Sequence, residues 1–214
     1  MVECSAATIS SDQTRPEFRI IFELIHEGAS VLDLGCGDGD LLALLQEKKH
    51  LIRSQGIEID EKAIYRCVAK GISVVHGDID SGLPEYGTGS FDYVILNQTF
   101  QQVKKPDTVI QESLRVGKKV IVSFPNFAHY SARYQLAIRG RAPITRSLPY
   151  EWYNTPNIHF LSIADFVTFC RKKEIKIEKA FYLGNRGEIR FLPNLRALLG
   201  IFLISSDILA KGNR

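Results

Sequence analysis

Hydrophobic positions along the chain follow two alternating periods. Between Pro16 and Glu27, Phe18, Ile21, Phe22 and Ile25 recur at i, i+3, i+4, i+7 spacing, which predicts a leading amphipathic helix. The run VLDL (31–34) predicts a short buried strand. Asp40 to Lys49 then reads as a helix carrying Leu41, Leu42, Leu44 and Leu45, and Ser54 to Ile59 as a second strand. Glu61 to Lys70 is a further helix, closed by Gly71. ISVVH (72–76), FDYVIL (91–96) and KKVIVSF (118–124) are strands, with a loop over 80–90 and a helix from Pro106 to Val116. Ser162 to Lys173 is a helix with Ser162 as N-cap and Asp165 at its third position. EIKIEKAFYL (174–183) alternates as a strand, and a last strand falls near Ala197 to Ile204. Residues 125–160, rich in Pro, Asn, Arg and aromatics, read as an inserted loop-plus-helix segment. Strands alternating with helices predict an α/β fold with a doubly wound, mostly parallel sheet. With no evident linker, residues 15–214 are expected to form a single domain behind a flexible N-terminus at 1–14.

Composition leaves this picture intact: 45% hydrophobic and 24% charged residues are ordinary for a globular chain of 214 residues. No basic segment followed by an apolar one stands near the N-terminus, so no signal peptide is read. The most apolar stretch, 191–204, is broken by Pro193, Asn194, Arg196 and Gly200, and reads as a buried strand and not a membrane span. Cys4, Cys36, Cys67 and Cys170 are widely spaced, with no zinc pattern and no disulfide framework, which points to a reducing, cytoplasmic setting and to no metal site. Net charge is +3, unevenly placed: −7 over residues 1–110 and +10 over 111–214. The basic residues are scattered and form no run of the kind that tracks nucleic acid, so neither nucleic acid nor membrane is expected as a partner.

The chemistry concentrates at strand ends. VLDLGCGDGD (31–40) places a glycine turn between a buried strand and a helix, the setting in which such a turn holds a ligand. Its pattern, Asp33, Gly35, Gly37 and Gly39 at alternate positions, differs from the diphosphate-binding G-x-G-x-x-G. Asp38 and Asp40 add negative charge, which would repel a diphosphate and suit a ligand carrying an ammonium and a sulfonium. GIEID (56–60) ends the second strand with Glu58, about twenty residues on, where a carboxylate can accept from both hydroxyls of a ribose. HGDID (76–80) sets Asp78 to accept from an exocyclic adenine amine, and Asn97 and Gln98 leave the fourth strand beside the same crevice.

VLDLGCGDGD, GIEID, HGDID and FDYVIL resemble the motifs of class I S-adenosylmethionine-dependent methyltransferases. That resemblance implies a Rossmann-like, seven-stranded sheet whose last strand is antiparallel. It also implies S-adenosylmethionine, or S-adenosylhomocysteine, as the ligand. Asp33, Gly35, Gly37 and Gly39 would then line its methionine end, Glu58 would take the ribose, Ile59 would flank the adenine, and Asp78 with Ile79 would hold the adenine edge. The second half narrows the likeness. SFPNF (123–127), PYEWY (149–153) and TPNIH (155–159) are similar to the MetW family of methionine-biosynthesis proteins. By that resemblance the chain would serve as partner and activator of the MetX-type homoserine O-acyltransferase (an acetyltransferase in some pathways).

Whether methyl transfer occurs is left open by the residues. Where many methyltransferases place a histidine after the fourth strand, this chain has Gln101 and Gln102, and glutamine is no general base. NQTF (97–100) stands where amine methyltransferases carry Asn-Pro-Pro-Tyr. His129 and His159 are the candidate bases, and the catalytic residues are otherwise unknown. Tyr150, Trp152 and Tyr153 have three readings: cover for the cofactor, core packing, or a partner anchor with Arg139, Arg141 and Arg146 nearby. Two functions follow: a cofactor-binding regulator of the acyltransferase, or a methyltransferase acting on a small molecule.

Overall fold

The computed structural model describes residues 15–206; the expected flexible segment 1–14 and Cys4 lie outside the described residues. The elements in chain order are α1 (Pro16–Leu24), β1 (Ser30–Leu34), α2 (Asp40–Lys49), β2 (Arg53–Glu58), α3 (Glu61–Ala69), β3 (Val74–His76), β4 (Phe91–Asn97), α4 (Pro106–Val116), β5 (Gly117–Pro125), α5 (Tyr130–Arg139), α6 (Ile163–Lys172), β6 (Ile175–Gly184), β7 (Gly187–Glu188), α7 (Pro193–Arg196) and β8 (Leu199–Ser206). Single 3-10 turns follow β3 (Ile79–Ser81) and β4 (Phe100–Gln102).

All strands join one sheet in the order β3-β2-β1-β4-β5-β8-β6-β7. β1 to β5 run parallel, whereas β8 is antiparallel to both β5 and β6. The strand count is therefore eight where seven were expected. The difference is β7, two residues that fold back on the end of β6 through Leu183↔Glu188 and Gly184↔Gly187. A hairpin that short has no periodicity to detect. The tail also differs from its sequence reading: 191–198 holds the short helix α7, and β8 begins only at Leu199. α1 stops at Leu24, short of Glu27, yet Ile25 is fully buried in extended backbone and keeps the helical spacing's apolar logic.

The strands sort their side chains between two cores. Leu32, Leu34, Val94, Leu96, Val120, Val122 and Phe124 face the layer of α4 and α6. Val31, Tyr93, Ile95 and Ile121 face the layer of α1, α2 and α3. Strands buried on both faces are the reason their sequences read as continuous apolar runs. The first core centres on Phe124, Phe166 and Phe202, with ring centroids 4.8–5.7 Å apart. Asp92 fastens β4 to its neighbours: it accepts from Ser30 N (2.9 Å) and Ser30 Oγ (2.7 Å) and pairs with Lys118 at 2.8 Å. Burial opposes its charge, but these donors outweigh burial and hold its carboxyl well below the usual range. α6 carries the expected capping box: Ser162 Oγ accepts from Asp165 N at 3.1 Å, and the Asp165 carboxylate accepts in return.

Candidate functional site

The strand order reverses between β1 and β4, and a crevice at the carboxyl ends of such strands is where α/β sheets bind ligands. A cleft of about 990 Å³ opens there. It is lined by the turn after β1, the ends of β2 and β3, the turn after β4, the first residues of α1, and residues of the segment between β5 and α6.

The glycine turn forms the floor. Gly35, Gly37 and Gly39 have φ of 72°, 55° and 74°, values that favour glycine. They differ in what surrounds them. A Cβ on Gly35 would sit 2.6 Å from Thr99 Cγ2, and one on Gly39 2.9 Å from Cys67 Sγ. A Cβ on Gly37 would meet nothing within 4 Å, because that side of the turn faces the open cleft. Cys36 packs over the next strand: a Cβ on Gly56 would lie 2.4 Å from its sulfur, so β2 needs glycine there. Burial pushes the Cys36 thiol far up, which fits a packing role and not a nucleophile.

Glu58 closes the turn from β2. Its Oε2 accepts from Gly37 N at 2.8 Å, and its Oε1 accepts from Ile59 N (2.8 Å) and Asp60 N (3.0 Å). Beside it Ile59 is 60% exposed, an apolar shelf at the cleft edge. Asp33 lies beneath, 2% exposed, and its Oδ1 has no hydrogen-bond partner. Burial, with the Glu58 charge adding and Arg15 opposing, raises its carboxyl to about 7. A buried, unpartnered carboxyl next to a second carboxylate is a site for a cation.

The structure corrects one electrostatic expectation. Asp38 and Asp40 do not leave free negative charge over the turn. Asp38 pairs with Arg66 at 2.7 Å, Asp40 pairs with Lys70, and Lys70 also donates to Asp38 O at 2.7 Å. The carboxyls of the cleft floor are those of Asp33 and Glu58.

Asp78 is exposed at the end of β3 and caps the following 3-10 turn by accepting from Asp80 N at 2.9 Å, with Ile79 half-buried beside it. Asn97 lines the cleft, but its Oδ1 accepts from Ser123 Oγ at 2.6 Å, which gives it a share in holding β4 to β5. Asp33, Gly35, Gly37, Glu58, Ile59, Asp78, Ile79 and Asn97 thus all line one cleft; Gly39 shapes the turn from behind. The candidate bases do not join them. His129 is 4% exposed and caps α5, its Nδ1 accepting from Ser131 N at 3.3 Å; burial holds its pKa down. His159 bonds Val103 O through Nε2 at 2.9 Å. Neither lines the cleft.

Several contacts escaped the sequence reading, although Gln98 lines the crevice as expected. Asp80 accepts from Lys104 N (2.9 Å) and Lys105 N (2.8 Å), which ties β3 to the loop before α4. Glu17, 3% exposed at the start of α1, pairs with Arg15 at 3.5 Å and accepts from Gln98 Nε2 at 2.7 Å. Gln98 itself sits at φ 56°, the strained position from which the turn after β4 reaches α1. Gln101 is 3% exposed: its Nε2 donates to Gln98 O at 2.7 Å, its Oε1 has no partner, and its main-chain O accepts from Ile158 N (3.0 Å) and His159 N (3.1 Å). The segment 126–160 is therefore hung on the turn after β4. Its other end is held by Asn126, fully buried, which donates to Ala197 O (2.8 Å) and Asn194 O (3.1 Å). Nothing in a one-dimensional pattern marks the long-range contacts among these, which join residues more than twenty positions apart.

Within that segment Tyr150 lines the cleft and is 48% exposed, whereas Trp152 (76%) and Tyr153 (70%) point to solvent, edge to face at 5.8 Å. Core packing is thereby removed from the three readings of this cluster.

A doubly wound parallel sheet with a reversed strand inserted beside β5, and a glycine turn facing acidic strand ends, is the architecture of the class I S-adenosylmethionine-dependent methyltransferases. A methyltransferase from Archaeoglobus fulgidus aligns with a TM-score of 0.67 and 14% identity, covering 88% of this chain and 90% of that one. A possible histamine N-methyltransferase from Thermotoga maritima aligns at 0.64 and 17% identity, covering 89% and 87%. At such identities the likeness is one of fold. The family model described as "Methionine biosynthesis protein MetW" matches residues 15–204, and the chain belongs to that family. A protein of Rhodopirellula baltica named bifunctional methionine biosynthesis protein MetXA/MetW is 36% identical over 189 residues, 83% of this chain and 30% of that protein. The chain spans about a third of the length of the curated relatives it matches. Among the described residues, no helix is long and apolar enough to cross a membrane, and no cluster of three or more His, Cys, Asp or Glu could hold a metal ion.

Proposed function

We propose that this chain binds S-adenosylmethionine, or its demethylated product, in the cleft and acts as partner and activator of a MetX-type homoserine O-acyltransferase in methionine biosynthesis. The observation that carries the ligand assignment is the pair Asp33 and Gly37. Asp33 Oδ1 is a buried acceptor without a donor, and Gly37 presents open space where any Cβ would intrude. These features fit the cationic amino-acid end of such a ligand above the turn. In this reading Glu58, at the end of β2, would also accept from the ribose hydroxyls, exposed Ile59 would flank the adenine, and Asp78 with Ile79 would hold the adenine edge. When bound, the sulfonium could supply a methyl group. The turn after β4 offers Gln98, Thr99, Gln101 and Gln102 in place of a base, which favours binding and regulation over proton-coupled transfer.

The partner assignment rests on the relative whose name joins MetXA and MetW in one protein, since functions fused in one chain elsewhere are natural partners when separate. The test is the acyl-transfer rate of the same organism's homoserine O-acyltransferase with and without this chain, with S-adenosylmethionine as a second variable. A rate increase supports the reading, and cofactor dependence of that increase makes the cleft a sensor. No change in any combination would refute the partner role and return attention to small-molecule methyl acceptors.

A further inference from the structure

The segment between β5 and α6 carries a surface that the fold leaves uncovered. Of the ten residues of α5 only Ala132 is buried. Tyr130 (56%), Tyr134 (51%) and Ile138 (70%) are spaced i, i+4, i+8 and form one exposed stripe along the helix. A surface helix ordinarily turns such a stripe toward the core. Here the stripe has no cover, and Trp152 and Tyr153 extend the same segment's apolar exposure. Helix and strap are joined: Gln135 Nε2 donates to Ile144 O (2.9 Å) and accepts at Oε1 from Ile144 N (3.1 Å). The charge around the stripe is one-sided. Residues 126–160 hold four arginines, Arg133, Arg139, Arg141 and Arg146, against the single carboxylate Glu151. The Arg139 guanidinium stands 5.5 Å from the Tyr134 ring. Aromatic and arginine side chains together are the composition of interface centres, and the sign of the charge selects an acidic partner.

We propose that the Tyr130–Tyr134–Ile138 stripe, rimmed by Arg133 and Arg139, is the docking surface for an acidic face of the acyltransferase partner. This inference rests on the partner reading above and assigns the surface that performs it. Arg146 and Tyr150 of the same segment line the cleft, so the segment that meets the partner also borders the ligand site.

The test is a calorimetric or surface-plasmon titration of the purified acyltransferase with wild-type chain, with the double variant Tyr134→Glu/Ile138→Glu, with Arg139→Glu, and with Tyr65→Glu. Tyr65 is 72% exposed on α3, in the acidic half, and serves as the control. All four positions are exposed, and retained melting temperatures confirm that the fold is kept. The double variant is expected to weaken binding at least about thirtyfold, the scale of an interface hot spot. Arg139→Glu is expected to weaken it about tenfold and to flatten its salt dependence. Tyr65→Glu is expected to bind as wild type. Wild-type affinity of the double variant would overturn the proposal, as would an equal loss in Tyr65→Glu. Loss of self-association by the double variant, with acyltransferase affinity intact, would also overturn it and reassign the stripe to a second copy of this chain. No binding by the wild type would refute the partner reading itself, and this inference with it.

Discussion

Glu58 Oε2 accepts a hydrogen bond from the amide of Gly37 at 2.8 Å, across the junction between two parallel strands. One carboxylate thus organises the glycine turn and is also the group proposed to take the ribose. Its loss acts on both. Glu58→Ala is expected to lose at least about tenfold in S-adenosylmethionine affinity. It is also expected to lose about 1–3 kcal/mol of stability, because three main-chain N–H groups lose a charged acceptor. Titration calorimetry and denaturant unfolding separate the two effects; unchanged affinity would sink the ribose assignment.

The glycines of the turn should not be equivalent. Gly37→Val adds bulk to the open side and is expected to keep the fold, at a strain cost of about 1–2 kcal/mol, while abolishing ligand binding. Gly35→Val drives its Cβ into Thr99 and is expected to cost more stability than Gly37→Val. Thermal unfolding of the two variants side by side checks the order.

Asp33 makes stability and binding depend on pH in opposite directions. Its folded-state carboxyl titrates near 7, above the ordinary value of 3.8. The folded state therefore holds a proton that the unfolded state releases. Stability without ligand should fall as pH rises from about 4 to about 7, and level off above. Asp33→Asn should remove that slope and raise the melting temperature at pH 8. A cationic ligand favours the ionised carboxyl, so affinity should rise by up to about tenfold per pH unit below 7. Melting curves and calorimetry from pH 5 to 8 test both signs.

Asn126 illustrates what the sequence conceals. It stands in SFPNF, a stretch that reads as a family mark without a physical role. In the fold it bridges the end of β5, the start of α6 and the α7–β8 corner, since beside its bonds to Ala197 O and Asn194 O its Oδ1 accepts from Ile163 N at 3.4 Å and from Ala128 N at 3.2 Å. Asn126→Leu is expected to cost about 3 kcal/mol or more, by orphaning buried main-chain groups, as read by denaturant unfolding.

The legible parts of the chain were those written in local pattern. The limits of α2 and α4, the capping box at Ser162 and Asp165, and the gathering of Asp33, Gly37, Glu58 and Asp78 at strand ends follow from period and turn chemistry. Hidden from it were the pairings of Asp38 with Arg66 and of Asp40 with Lys70, which offset the negative charge over the turn. So was the bond from Gln101 O to the strap at Ile158 and His159. These contacts join residues about 25 to 60 positions apart, and only the fold decides that they meet.

Gln101 also bears on how the cleft and the strap communicate. Gln101→Met keeps the volume but loses the bond to Gln98 O. It is expected to speed hydrogen exchange at the Ile158 and His159 amides several-fold, with a smaller loss of ligand affinity than Glu58→Ala. Exchange followed residue by residue tests this, and unchanged rates would show that the strap is held independently of the turn.

Binding of S-adenosylmethionine in the cleft is tested most directly by a calorimetric titration of the wild-type chain beside Gly37→Val. A saturable one-to-one isotherm for the wild type, absent in the variant, is the predicted result. No heat and no thermal stabilisation of the wild type with S-adenosylmethionine or S-adenosylhomocysteine would contradict it.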